Sequence, residues 1–108
     1  MATAAKTITI SGTVRRTLTD GDEGVVSRVR FQVTAAASLA MDVQGAMRSN
    51  AVATYVDLAY TNVGTNTAVA VGTDITANGI YEVDAGGLII ALLPTAGSAQ
   101  ITYLTLLG

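Results

Sequence analysis

Ala37-Ser38-Leu39-Ala40-Met41-Asp42-Val43-Gln44 is the stretch on which the fold class turns. Ala, Leu and Met favour helices, so the segment from Thr34 to Met47 has a composition that a helix would accept. Its pattern says otherwise. Ala37, Leu39, Met41 and Val43 recur at every second position and face away from Ser38, Asp42 and Gln44. That is the period of a strand with one dry and one wet face.

The same alternation runs outward from this stretch in both directions. Toward the N-terminus, Val25, Val29, Phe31 and Val33 point inward while Arg28, Arg30 and Gln32 point out. Before them, Ile8, Ile10 and Val14 oppose Thr7, Thr9, Ser11 and Thr13. Toward the C-terminus, Val52, Val56, Leu58 and Tyr60 make a fourth inward row, Thr67 to Val71 a short strand, and Tyr81 and Val83 alternate with Glu82 and Asp84. Turn residues punctuate these rows at Asp20-Gly-Asp-Glu-Gly24, Asn62-Val-Gly64, Asn78-Gly79 and Gly86-Gly87. About eight short strands at such spacing predict an all-β, antiparallel β-sandwich or jelly-roll-like barrel. No composition shift divides the chain, so residues 7–108 read as one domain behind a small-residue, flexible N-terminal arm at 1–6.

Two late segments break the alternation. Leu88-Ile-Ile-Ala-Leu-Leu93 is apolar at every position, and Leu104, Leu106 and Leu107 occupy both faces after Ile101 and Tyr103. Pro94-Thr-Ala-Gly-Ser98 between them reads as the turn of a hairpin. One face of that hairpin can fill the core, and the other needs a cover. Leu88, Ile90, Leu92, Leu104 and Leu106 are therefore the expected oligomer contacts.

Composition supports assembly. Of 108 residues, half are hydrophobic and only 13% are charged, and the mean hydropathy is +0.48. A small domain has a large surface to solvate, and charge normally does that work. The net charge of −2 argues against general attraction to nucleic acid. With no Cys and no His, disulfides, the usual zinc and copper sites and His-based triads are out of reach. Leu88–Leu93 is far too short to span a bilayer, and Met1–Lys6 lacks the apolar stretch of a signal peptide. No membrane partner, metal or other cofactor is expected.

Chemistry-bearing residues are sparse. Thr19-Asp-Gly-Asp-Glu23 is the one acidic cluster. Its oxygens would suit Ca²⁺, but the spacing is not that of an EF-hand, and an exposed turn accounts for Asp20, Asp22 and Glu23. Arg15, Arg16, Arg28 and Arg30 would share a face if the first two strands were neighbours, and with Lys6 they are candidates to pair with a partner's carboxylates. Tyr60, Tyr81 and Tyr103 lie on inward rows and belong to the core. Tyr55 faces outward and is the candidate contact for a glycan or another partner. No carboxylate pair, nucleophile or phosphate loop suggests an enzyme.

Thr76-Ala-Asn-Gly-Ile-Tyr-Glu-Val-Asp-Ala-Gly-Gly87, with the apolar strand, Gly-Ser turn and closing strand after it, resembles the C-terminal half of small β-sandwich structural proteins of tailed phages. The similarity covers Thr67 to Leu106. It departs at Leu88–Leu93, where such proteins often carry an Arg. The resemblance implies a head decoration or cement protein. Such a protein forms homotrimers on the capsid surface and binds the major capsid protein or other virion proteins, and it has no catalytic residues. A tail, neck or fibre component, including a glycan-binding module, is the alternative that the resemblance implies.

Overall fold

The structure, a computed structural model, describes residues 5–19, 26–47 and 54–107. Among them are eight strands and no helix: β1 (Lys6–Ser11), β2 (Arg16–Thr17), β3 (Val26–Ala46), β4 (Val56–Asp57), β5 (Tyr60–Asn62), β6 (Thr67–Val69), β7 (Gly79–Asp84) and β8 (Ile89–Leu107). All pair antiparallel in a single sheet of order β1-β8-β3-β7-β5-β6, with β2 added on β8 and β4 on β3. The chain is all-β, as its alternation predicts.

The sheet folds over on itself because its two central strands bend. Straight, the 21 residues of β3 would span about 70 Å at roughly 3.3 Å each, yet the longest dimension of the molecule is 34 Å. The ladder between β3 and β8 slips between Thr34 and Ala37, between Ala37 and Ala40, and between Ala40 and Met41. Ala35, Ser38 and Gly97 take left-handed backbone there, with φ of 54°, 51° and 74°. Such extra residues kink a strand and steepen its twist. The corner divides the sheet into two layers. The first holds β1, the end of β8, the start of β3, and β7, β5 and β6. The second holds β2, the start of β8, the end of β3, and β4.

The core fills the space between the layers. Val29, Phe31, Val33, Tyr81, Val83, Ile101 and Tyr103 come from the first, and Leu39, Met41, Val43, Ile90 and Leu92 from the second. Phe31 stacks on Tyr81 at 5.7 Å, and Tyr60 meets Tyr81 edge-on at 5.8 Å. Burial of Tyr60, Tyr81 and Tyr103 agrees with their inward rows.

Several expectations are corrected. Leu88–Leu93 and Ile101–Leu107 are not two strands of a hairpin: Ile89–Leu93 and Ile101–Leu107 are the two ends of one strand, β8. Pro94 is tolerated inside this strand for a backbone reason. Its ladder partner Met41 turns both its N–H and its C=O the other way, to Ile75 (3.1 and 2.8 Å), so no bond to a proline N–H is lost. The rows Val29–Val33 and Leu39–Val43 belong to one strand, and Ala37 and Ser38 are exposed at its corner. The fourth row splits: Tyr60 is buried and Leu58 packs on the core, but Val56 in β4 is exposed. Val14 is also exposed, because β1 ends at Ser11 and Gly12 (φ 64°) turns the chain. Lys6, placed in the expected arm, already pairs with Tyr103 in β1. Asp20–Glu23, Val25, Val52 and residues 1–4 of the expected arm lie outside the described residues.

Candidate functional site

The outer surface of the first layer is built in rungs. Leu106, Arg28 and Asp84 lie side by side, then Leu104, Arg30 and Glu82, then Thr7, Thr102, Gln32 and Ile80. Alternation sends these residues outward while their neighbours fill the core. Glu82 is the hub of the middle rung. Arg30 donates from Nε to Oε2 at 2.8 Å, and Arg28 from one guanidinium nitrogen to Oε1 at 3.2 Å. Beside this cluster is a shallow depression of about 170 Å³ lined by Ala5, Arg30, Gln32, Ile80, Thr102 and Leu104. Leu104 and Leu106 are half-buried and Ile80 is exposed. The surface is thus an apolar strip beside an ion cluster in which two arginines share one glutamate and leave a net positive charge. Such a face can bury apolar area against a protein and offer its surplus guanidinium charge to a partner's carboxylate.

The outer surface of the second layer carries a different set. Arg15 donates from Nε to Gln44 Oε1 at 2.9 Å, and Gln44 Nε2 donates to Asp57 Oδ1 at 3.1 Å. The Arg15 guanidinium lies 4.2 Å from the centre of the Tyr55 ring, a cation–π contact. This strap explains why Gln44 is buried on an outward-facing row. Asp42 follows on the same row. Its carboxyl is raised from 3.8 to about 6, first by a hydrogen bond with the Asp74 side chain, then by burial, then by the charges of Asp74 and Asp57. Burial, more than the neighbouring charges, also raises the Tyr60 hydroxyl. Among the described residues, no group of three or more acidic, Cys or His side chains is arranged to hold a metal ion.

The expected site residues therefore separate. Ile90 and Leu92 are fully buried in the protomer's own core, and this removes them from any contact with a second copy. Leu88 packs on that core from its margin. Leu104 and Leu106 lie on the outer face of the first layer. The four arginines do not form one patch, because β8 lies between β1 and β3. Arg28 and Arg30 share the outer face with Glu82, whereas Arg15 stacks on Tyr55 and Arg16 donates to the Thr9 carbonyl at 3.0 Å. Lys6 is exposed at the outer end of β1. Tyr55 is occupied by Arg15 and presents no open stacking platform on that ring face. The Asp42–Asp74 pair escapes sequence reasoning because nothing local joins residues so far apart.

No protein-family model matches the chain, and no curated protein sequence is similar to it. A solved structure does match: the SPBc2 prophage-derived protein YomS, with a TM-score of 0.56 over 95% of each chain at 14% identity. The two share a fold. At that identity the likeness extends to the path of the backbone, end to end, and not to particular side chains.

Proposed function

We propose that this protein is a structural subunit of a tailed-phage particle, a decoration or cement subunit of the head that acts as a homotrimer and is not an enzyme. The observation that carries the reading is the fold shared over nearly the whole chain with a prophage-derived protein. The Thr76–Gly87 resemblance and the low charge support it. The contact surface in this reading is the outer face of the first layer. Leu104, Leu106 and Ile80 supply apolar area, and the Arg28–Glu82–Arg30 cluster sets register. The mechanism is mechanical. A subunit that bridges neighbouring capsid proteins only in the expanded shell stabilises that shell by preferential binding.

The test uses the purified protein with expanded heads and unexpanded proheads of the phage that encodes it. The reading expects a trimer by light scattering at micromolar concentration and saturable binding to expanded heads alone. A monomer that binds neither particle would refute it. Binding confined to tails or necks would replace the head assignment with a tail, neck or fibre role.

A further inference from the structure

The segment from Val71 to Asn78 closes the open side of the core. Ile75 reaches inward and is 2% exposed, and it is held by a single isolated bridge in which Met41 N–H donates to Ile75 O and Ile75 N–H donates to Met41 O. Tyr60 adds a bond from its hydroxyl to the Thr73 carbonyl, Tyr81 one to the Ala77 carbonyl, and Asn78 Oδ1 accepts from Ala36 N–H. The geometry of the bridge fixes what stands next to it. When two residues of an antiparallel pair exchange both hydrogen bonds, the next pair along is the close, non-bonded kind, with Cα atoms about 4.5 Å apart and side chains on one face. That next pair is Asp42 and Asp74. Two carboxyl groups are therefore set directly across from each other at the one point where the segment joins the ladder.

We propose that Asp42 and Asp74 form a proton-operated clasp, closed over the core when the pair shares a proton and loosened when both carboxylates are ionised. Among the described residues, the groups around the pair offer the ionised state no compensation. Across the ladder, β8 presents Leu93 to Asp42. From β4, Asp57 adds a third negative charge, and its own hydrogen bond goes to Gln44. From β5 comes the Tyr60 hydroxyl, a neutral donor that already serves Thr73. Arg15, the cation on this face, is committed to Gln44 and the Tyr55 ring. The raised Asp42 carboxyl sets the working range near pH 6. Loosening uncovers Ile75 and Met41, both apolar and otherwise sealed. The clasp belongs to the fold and does not depend on where the protein acts.

Amide hydrogen exchange reads the clasp directly, because the Met41 and Ile75 N–H groups are the bridge donors. After correction for the intrinsic pH dependence of exchange, the opening equilibrium at these two amides should be about three- to tenfold larger at pH 7.5 than at pH 5, while Phe31 and Ile101 show no such change. Asp42→Asn and Asp74→Asn should each abolish the difference, and carboxyl-carbon NMR should show the Asp42 carboxyl titrating near pH 6. Equal protection at the two pH values in the unmodified protein would overturn the proposal. So would a pH dependence that survives in Asp74→Asn, or an Asp42 carboxyl that titrates at its ordinary value.

Discussion

Replacing Gly97 with Ala probes the corner that folds the sheet. Gly97 has φ 74°, and a Cβ there would overlap the carbonyl oxygens of Ala37 and Ser38. Left-handed backbone costs a non-glycine residue about 1–2 kcal/mol. The overlap is with backbone, so relief requires β3 and β8 to part where their ladder already slips, a strain of about another 1–3 kcal/mol. The expected loss is about 2–5 kcal/mol, a large share of the 5–15 kcal/mol that stabilises a typical small domain. Gly12→Ala separates the two contributions, since Gly12 also has positive φ (64°) but open space where its Cβ would go. Urea unfolding followed by circular dichroism should place the Gly97→Ala midpoint about 1–2 M below wild type, with Gly12→Ala much closer to it. Equal, small losses in the two variants would mean that β8 does not turn through a bulge at Gly97, and the two-layer account would fail.

Other substitutions test the faces. Ile90→Ala should cost about 2–5 kcal/mol in thermal or chemical unfolding, as a truncated core residue does, whereas Leu104→Ser should leave the folded protomer within about 1 kcal/mol of wild type and act on association. Arg15→Ala should lose about 1–2 kcal/mol, because it leaves the buried Gln44 Oε1 without its donor, and Arg15→Lys should recover little of it, lacking the planar group that stacks on Tyr55. Glu82→Gln should change stability by less than about 1 kcal/mol, with the difference shrinking in high salt, since Arg28 and Arg30 are half-exposed. Asp42 holds its proton more tightly in the folded chain than in the unfolded one, so its contribution is fully present below about pH 4 and is lost as pH rises to about 6. Asp42→Asn should therefore stabilise the protein by about 0.5–1 kcal/mol at pH 7 and have no stabilising effect at pH 4, in unfolding curves taken at both values.

The sequence exposed the strands far better than their connections. Alternation at Val29–Val33 and Leu39–Val43 identified buried and exposed faces correctly, and the choice of strand over helix for Ala37–Gln44 holds. The corner between those rows left no trace, because Phe31, Leu39 and Met41 keep the same odd-numbered phase across it. The left-handed residues on β3 are also Ala35 and Ser38 rather than glycines. Pro94 and Gly97 read as a turn, yet the proline sits where no N–H is needed and the glycine serves a bulge. The long pairing of β3 with β8 joins residues from 43 (Ala46 with Ile89) to 81 (Val26 with Leu107) positions apart, and no local pattern encodes its register. Sequence separation also hid the Asp42–Asp74 pair, and it made Ile90 and Leu92 look like surface for a partner when they are buried in the chain's own core between the two layers.

Imaging a tailed-phage particle assembled with this chain, at a resolution that traces strands, tests the proposed role most directly. The account predicts a folded two-layer subunit seated in threes on the outside of the expanded head, with the Leu104–Leu106 face of each copy against a neighbouring protein. A mature particle with no density for this fold at any position would contradict it.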